Sequence, residues 1–428
     1  MQESFLSFVW QFQYFDKREL ITTSGDKIDI LSPGILNTDA GPDFENAKVN
    51  IQGIDWAGHI EIHTLSSHWK NHKHEDNPAY NSVILHVVWE NNVEVKRPDG
   101  TTMPTLVLNG LVDLELINNY QNLIKAKSEI PCENSIDAVS SITQLSMIER
   151  VAVERMKSKA DDVIEILGGN QYDWNQAAYQ LLLKNFGFKI NGEAFLALSK
   201  ALPYKVLAKH LNDPVAVQAL LFGQAGFLDQ ELDDSYFNAL KREYNFLSYK
   251  YGIYDARLTP EWWKMLRLRP ANFPTIRIAQ LAKALYGHQH LFTFFLEVDS
   301  VEQLYKHFRK PLPDYWNDHY LFGKSGALGS RTMGKQSVRN ILINTVVPLL
   351  VAYAKEKDEP SYLDKASTLL QDIQAEDNKI TRKWASLEIK AKNAFESQGQ
   401  IALMNNYCKK RKCLSCAIGS SILKHNAL

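Results

Sequence analysis

The chain has 428 residues, of which 45% are hydrophobic, and a formal net charge of −1. This length suffices for two or three domains with large cores, since a domain usually holds about 100–200 residues. The 48 basic residues nearly match the 49 acidic ones, which excludes a protein that coats nucleic acid through its overall charge. A nucleic-acid partner would therefore have to bind a local basic patch.

The first 20 residues contain an apolar stretch that Gln11 and Gln13 interrupt. It lacks the basic leader and the small-residue cleavage site of a signal peptide, so we interpret residues 5–15 as an amphipathic helix. No run reaches about 18 consecutive apolar residues, which predicts that no segment crosses a membrane. Four cysteines are too few for a secreted disulfide scaffold, and we expect a cytoplasmic protein.

Residues 26–109 have the pattern of β-strands. Ala47, Val49 and Ile51 alternate with polar residues, as in a half-buried strand. Strands are predicted over residues 27–31, 47–51, 59–63, 82–90 and 103–108. A short helix between the third and fourth strands would begin at Ser66 or Ser67 and end before Pro78. We expect a mixed sheet of about five strands with flanking helices.

After residue 111 the hydrophobic period becomes helical, and one helix is predicted over residues 112–128. Further helices are predicted over residues 148–167, 174–186, 215–222, 234–249, 277–286, 301–307, 337–355, 362–374 and 381–396. The fold class is therefore α+β, followed by a long all-α region. We place the α+β module at residues 1–127, a linker at 128–142 and the helical region, which ends in a cysteine cluster, at 143–428.

Histidines are concentrated in the α+β module. Six of the twelve lie between His59 and His86, where an even distribution would put about one. Because residues two apart in a strand share a face, His59, Glu61 and His63 should point to the same side. Two imidazoles and a carboxylate suit a divalent metal.

The same histidines have a second interpretation without a metal. Antiparallel sheets commonly carry a polar exposed face, and scattered histidines are unremarkable there. In that case His68, His72 and His74 are solvated, and His86 is a buried, hydrogen-bonded core residue between Ile84 and Val88. The sequence alone leaves both interpretations open.

The segment Gly41-Pro42-Asp43-Phe44 leads into the second predicted strand, and Asp43 precedes Glu61 by 18 residues. The order helix, strand, strand with an acid at its start, strand with Glu61-Ile62-His63, helix, strand resembles the core of PD-(D/E)XK nuclease-like phosphodiesterases. The resemblance covers about the first hundred residues. It implies that Asp43 and Glu61 hold Mg²⁺ or Mn²⁺, which activates water and neutralises charge on a phosphate.

His63 departs from that pattern, because it stands where the superfamily has a lysine that positions and activates water. Lys70 or Lys73 on the following helix could replace that lysine, or neutral His63 could act as a base or a ligand. The resemblance implies Asp43, Glu61 and His63 as catalytic residues of an active or degenerate enzyme.

Nearly the whole chain is also similar to an uncharacterised bacterial family catalogued as a domain of unknown function. The segments that carry this similarity are GPDF at 41–44, GHIEIH at 58–63, VILHVV at 83–88, ALLFGQAG at 219–226, RPANFP at 269–274 and CLSC at 413–416. The similarity implies a single bacterial unit and brings no activity with it.

A basic run with interleaved aromatic residues lies in the helical region. Arg267, Arg269 and Arg277 follow Trp262 and Trp263, a combination that suits phosphate contact and base stacking in nucleic-acid binding. Alternatively, the tryptophans belong to the core and the arginines cap helices and pair with acids.

Three cysteines near the C-terminus have the spacing C-x4-C-x2-C: Cys408, Cys413 and Cys416. They predict zinc or an iron–sulfur cluster. A closed zinc site needs four ligands, so Cys132 in the linker or His425 would be the fourth. The alternative is that these cysteines pack as small apolar residues.

The sequence is compatible with three functions. The first is a metal-dependent phosphodiesterase or nuclease, in which the carboxylates of Asp43 and Glu61 converge. The second is a non-enzymatic helical scaffold with a structural metal site. The third is a different metal hydrolase that uses His59, Glu61 and His63 directly.

Overall fold

The structure is a computed structural model that describes residues 1–266, 268–269, 272–329 and 331–424. Contacts within the chain define two compact units. Unit 1 consists of Met1–Met147 together with Leu403–Leu428, and unit 2 consists of Ile148–Ala402. The predicted fold class is confirmed, because an N-terminal mixed sheet is followed by a long helical region.

Unit 1 contains the sheet and the helices that flank it. Its strands are β1 (Ile28–Ser32), β2 (Ile35–Leu36), β3 (Phe44–Ile51), β4 (Ile54–Leu65), β5 (Val83–Glu90) and β6 (Thr105–Val107). Its helices in the first segment are α1 (Glu3–Phe12), α2 (His68–Asn71) and α3 (Leu114–Lys125).

The strand order in the sheet is β1-β3-β4-β5-β6, and β2 also pairs with β3. β3 is antiparallel to β1, β2 and β4, whereas β5 is parallel to both β4 and β6. The predicted short helix is observed as α2, within the connection between the parallel strands β4 and β5. Two further short strands, β7 (His319–Leu321) and β8 (Lys324–Ser325), form a separate ribbon in unit 2.

The interior of the sheet follows from its apolar runs. Val83–Glu90 is buried at six consecutive positions, as expected for a strand that is covered on both faces. Glycine is required at Gly58 in β4, because a Cβ there would lie 2.4 Å from the Ser82 carbonyl oxygen. Helix α1 buries Phe5 and Trp10 and packs against β4.

The remaining helices begin with α4, which starts in unit 1, and continue through unit 2 before a final helix returns to unit 1. They are α4 (Ser141–Gly169), α5 (Trp174–Phe186), α6 (Phe188–Ala201), α7 (Tyr204–Leu207), α8 (Pro214–Gln224), α9 (Ser235–Tyr251), α10 (Pro274–Leu285), α11 (Leu291–Leu296), α12 (Val301–Phe308), α13 (Tyr315–Asp318), α14 (Lys335–Ile341), α15 (Val347–Lys357), α16 (Ser361–Gln371), α17 (Lys379–Ala385), α18 (Ala394–Leu403) and α19 (Ala417–Lys424). Two π-helical segments, Leu342–Val346 and Met404–Cys408, follow α14 and α18.

Among the described residues, one continuous helical stretch, Lys335–Lys357, is long and apolar enough to span a membrane. In the most apolar 18-residue window of this stretch, 72% of the window is buried inside the protein. A core helix of a globular protein has this character as well. The stretch includes Leu342 and Val346 of the π segment, both of which belong to the hydrophobic core of unit 2.

Candidate metal centre

Two polar side chains of β4 are buried beside the sheet. Glu61 and His63 are 5% and 1% exposed, and they alternate with the apolar core residues Ile60 and Ile62. Glu61 pairs in register with His86 of the parallel strand β5, which is fully buried. The strand pairing therefore collects three ionisable groups in a region without bulk water.

His59 does not belong to this group of converging side chains. The pairing of β4 with β5 shifts register between His59 and Ile60. The extra residue at this shift is Ile84 of β5, and the histidines whose nitrogens converge among the described residues are His63, His72 and His74. The Nδ1 atom of His59 is buried and has no hydrogen-bond partner.

The segment after β4 brings two further histidines to His63. Helix α2 ends after one turn, and Trp69 anchors it in the core. Lys73 then adopts a left-handed conformation with a φ of 58°, which turns the chain back so that His74 becomes buried. His72, directly before this turn, is exposed.

The imidazoles of His63, His72 and His74 converge. One ligand nitrogen from each lies within 4.8 Å of the other two. His63 Nε2 is 3.1 Å from His72 Nδ1, and two nitrogens on one tetrahedral zinc would be about 3.4 Å apart at ordinary Zn–N distances. The Glu61 Oε1 atom adds an oxygen, 3.1 Å from His74 Nε2 and 3.5 Å from His63 Nε2.

A second layer of contacts orients these groups. His63 Nδ1 is 2.9 Å from His86 Nε2, so donation from His63 to His86 leaves the His63 Nε2 lone pair available for a metal. Tyr80 stacks on His74 with ring centroids 3.8 Å apart and donates its hydroxyl to the Gly41 carbonyl. His74 Nε2 is buried and makes no hydrogen bond of good geometry, which leaves a ligand atom unsatisfied.

Burial keeps the imidazoles of His63, His74 and His86 neutral. Burial first, and neighbouring histidines second, lower the pKa of His63 to about 2, that of His74 to about 4 and that of His86 to about 3. Burial first, and Asp43 second, raise the pKa of Glu61 to about 9. Neutral imidazole is the form that binds metals, so protons do not compete for these nitrogens at ordinary pH.

The structure brings Asp43 next to Glu61. The Asp43 backbone N–H donates to Glu61 Oε2 at 3.2 Å, and the Ile62 N–H donates to Asp43 Oδ2 at 2.9 Å. Burial raises the pKa of Asp43 to about 6. Two lysines were proposed to replace the superfamily's lysine. They are Lys70 and Lys73, and both are exposed.

Two of the three predicted basic arginines are described, and they differ in exposure. Arg267 lies outside the described residues, Arg269 is exposed and Arg277 is buried. Trp263 is a core residue whose indole N–H donates to the Ala225 carbonyl at 2.8 Å, whereas Trp262 is exposed.

The four cysteines all belong to unit 1, and each is buried and reduced. Burial raises the pKa of Cys408, and the thiols of Cys132, Cys416 and Cys413 raise it as well, so they interact with it electrostatically. His425, the alternative fourth ligand, lies outside the described residues.

The chain belongs to the DUF2851 family of proteins of unknown function, whose family model matches residues 3–379. The match includes both the histidine cluster and Cys132, and it ends before the three C-terminal cysteines. No curated protein and no solved structure has a significant match to the chain.

The sequence did not identify His72 and His74 as ligands. The concentration of histidines between residues 59 and 86 was the available signal. The sequence did not predict that α2 has a single turn or that Lys73 is left-handed. These two features together decide where the two imidazoles point.

Proposed function

We propose that this protein is a metal-dependent hydrolase whose metal is bound by His63, His72 and His74, with Glu61 beside it. The convergence of the three imidazole nitrogens within 4.8 Å carries the proposal. The Nε2 of buried His74 supports it, because this atom makes no hydrogen bond of good geometry and lies 3.1 Å from Glu61 Oε1, so one metal could bind both atoms.

The composition of the cluster indicates which metal it would prefer. Three nitrogens and one carboxylate oxygen suit zinc or a similar transition metal, whereas Mg²⁺ prefers oxygen ligands and retains several waters. The predicted Mg²⁺ or Mn²⁺ would rely on Asp43 and Glu61 alone. Asp43 Oδ2 already accepts the Ile62 N–H, so we favour the nitrogen-rich set.

Phosphodiesters are the substrate class that we propose, with nucleic acid as the first candidate. The support is the order of helix and strands around β4, together with the adjacency of Asp43 and Glu61. A metal at this site would lower the pKa of bound water and neutralise phosphate charge. The exposed side chain of His72 provides the side from which a substrate would approach.

Metal analysis tests the centre. We expect purified wild-type protein to retain a transition metal that His72→Ala loses, because one of three imidazole ligands is removed from an exposed position. His68→Ala is the matched control, since His68 is a neighbouring histidine whose Nδ1 lies 3.3 Å from Glu3 instead. Equal metal content in all three proteins would rule out the centre.

Activity is tested separately with mixed DNA and RNA and with a chromogenic phosphodiester, each with Zn²⁺, Mn²⁺ or Mg²⁺. We expect cleavage by wild type and by His68→Ala, and none by His72→Ala or Glu61→Gln. Cleavage that persists in a His72→Ala, Glu61→Gln double variant would identify a contaminating nuclease and remove the support for the activity.

The second candidate is a scaffold with a structural metal site, and the four cysteines of unit 1 favour it. The π-helical segment ends at Cys408, and Arg411 then adopts a left-handed conformation before Cys413 and Cys416. The Arg411 guanidinium donates to the carbonyls of Ala126 and Ser128 at 2.6 and 3.0 Å. These bonds hold the C-terminal segment against the linker that carries Cys132.

A soft or borderline ion, either zinc or iron in a cluster, is the metal that four thiolates would bind. Elemental analysis after purification without oxygen distinguishes zinc from iron. Cys413→Ser should lower this metal while His72→Ala does not, and Lys412→Ala, an exposed neighbour, should retain it. If Cys413→Ser leaves both zinc and iron unchanged, the cysteines only pack in the core.

A further inference from the structure

Unit 2 contains a buried arginine that pairs with no carboxylate among the described residues. Arg277 of α10 is 7% exposed. Its Nη1 donates to Gln280 Oε1 at 2.9 Å, and its Nη2 donates to Asn272 Oδ1 at 2.6 Å and to Ser337 Oγ at 3.3 Å. All three acceptors are neutral, and the Nε–H is buried without a partner.

An unpaired buried charge is costly to the folded state. Burial lowers the pKa of Arg277 only to about 10, so the guanidinium is charged at neutral pH. Neutral acceptors satisfy part of its hydrogen-bonding capacity and none of its charge. An anion bound to the guanidinium would supply the negative charge that the described residues around Arg277 do not provide.

A cavity of about 330 Å³ lies beside this arginine. Phe186 and Phe195 form apolar parts of its wall. Phe188 also lines it, with a φ of 49° and its ring 4.5 Å from the centre of the Arg277 guanidinium. A left-handed backbone at a bulky residue is uncommon and strained, and such strain occurs preferentially at ligand sites.

We propose that this cavity binds a small organic carboxylate, whose negative charge pairs with Arg277 and whose apolar part contacts the phenylalanines. The volume is that of a small-molecule site, since ligand pockets begin at about 300 Å³. A nucleic-acid backbone is a poor match, because Arg277 is enclosed in the core. This site is independent of the proposed metal centre, which belongs to the other unit.

Calorimetric titration of the full chain tests the site. Benzoate and hexanoate serve as probes, and benzamide serves as the uncharged control of nearly the same shape. We expect saturable binding of at least one carboxylate and binding of benzamide that is weaker by about tenfold or more, the usual value of a hydrogen bond to a charged group.

Two variants assign any binding to this cavity. Arg277→Met removes the charge at similar length and should fold, because replacing a buried ion with an apolar residue is often neutral or stabilising. Ile190→Trp fills the cavity from an exposed lining residue and leaves Arg277 in place. Both should reduce carboxylate affinity by about tenfold or more, and Lys205→Met, at an exposed lysine of unit 2 outside this cavity, should not.

Three results would overturn the proposal. One is the absence of binding by either carboxylate to wild-type protein. Another is equal affinity for benzoate and benzamide, which would indicate an apolar pocket without charge recognition. The third is unchanged carboxylate affinity in Ile190→Trp, which would place the binding elsewhere on the protein whatever the behaviour of Arg277→Met.

Discussion

Ionisable side chains that are buried or partly buried in the two units are shifted toward their neutral forms. In unit 1 this concerns Glu61 and His63 of the candidate metal centre. In unit 2 it concerns Lys159 of α4, whose ammonium donates to Asn344 Oδ1 at 2.8 Å and to Gln398 Oε1 at 3.3 Å. Burial lowers the pKa of Lys159 to about 7, from an ordinary value of 10.5.

Lys159 should make the stability of the protein depend on pH. Above pH 10.5 the lysine is neutral in both the folded and the unfolded chain. As the pH falls, the unfolded chain takes up the proton first, so the folded state loses stability until the pH reaches about 7. Urea unfolding should show that Lys159→Met gains stability relative to wild type over this window.

The exposed lysine of the same helix, Lys157, provides the control for that experiment. Lys157→Met should follow wild type at every pH. A difference between Lys159→Met and wild type that stays constant between pH 7 and pH 10.5 would contradict the shifted pKa of Lys159.

His86 should control metal affinity without touching the metal. His86→Leu removes the partner of His63 Nδ1, which lies 2.9 Å away, and frees the orientation of the His63 ring. Loss of such an outer contact typically weakens metal binding by about 10–100-fold. Competition with a chromogenic chelator measures this change, and Ile84→Val on the same strand serves as the control. Wild-type affinity in His86→Leu would show that His63 needs no orienting partner.

The sequence predicted the ingredients of the candidate metal centre better than its geometry. Glu61 and His63 were identified because strand alternation is a local property. His59 was included for the same reason, but it is not among the described histidines whose nitrogens converge. The positions of His72 and His74 depend on a left-handed backbone conformation at Lys73. Such a conformation is typical of glycine, so a lysine in the sequence does not predict it.

At the scale of whole elements, close helix packing in unit 2 depends on glycine. Gly223 of α8 faces α9 so closely that a Cβ would lie 2.1 Å from the ring of Tyr244. Gly168 of α4 has no neighbouring atom within 4 Å of the same position. The two helix glycines therefore differ in the space that is available for a side chain, which allows alanine to be compared at a crowded and an open position.

We expect opposite effects from alanine at these two positions. Gly223→Ala should lower the free energy of unfolding by about 1–3 kcal/mol through overpacking. Gly168→Ala should raise it by about 0.5–1 kcal/mol, because alanine is the better helix former. Chemical denaturation measures both values. A stabilised Gly223→Ala variant would mean that α8 and α9 can separate without cost.

Most element types were predictable, and the exceptions have local causes. Helix α6 follows α5 with only Gly187 between them, so the sequence has no loop to mark its start. One helix was predicted over residues 381–396, whereas the structure has α17 and α18. Glu388, with a φ of 59°, lies between them in a conformation that no helix interior allows.

At the scale of the whole molecule, the predicted boundaries at residues 127 and 142 give no indication that the chain returns to its first unit. Residues after Ala402 join unit 1, where α19 packs against α3. The backbone N–H of Ala417 also contacts Met147 Sδ at 3.4 Å. Contacts between segments this far apart in sequence leave no local pattern, so sequence periodicity could not reveal them.

A chain that ends at Ala402 should be weakened in unit 1 only. Its α3 loses the cover of α19, and the carbonyls of Ala126 and Ser128 lose the Arg411 guanidinium. Amide hydrogen exchange should become faster in α3 and unchanged in α8. Arg411→Ala in the full chain should show a smaller effect of the same kind. Equal protection of α3 in the shortened and full chains would contradict the division into units.

The interrupted course of unit 1 has a consequence for biosynthesis. A ribosome adds about 5–20 residues per second, so the stretch Ile148–Ala402 takes on the order of tens of seconds to emerge. During that interval the sheet and its histidines lack the C-terminal segment that belongs to their unit. Synthesis of unit 2 is complete before the last segment of unit 1 has been made. The nascent chain should therefore pass through a state in which unit 2 is folded and unit 1 is still incomplete.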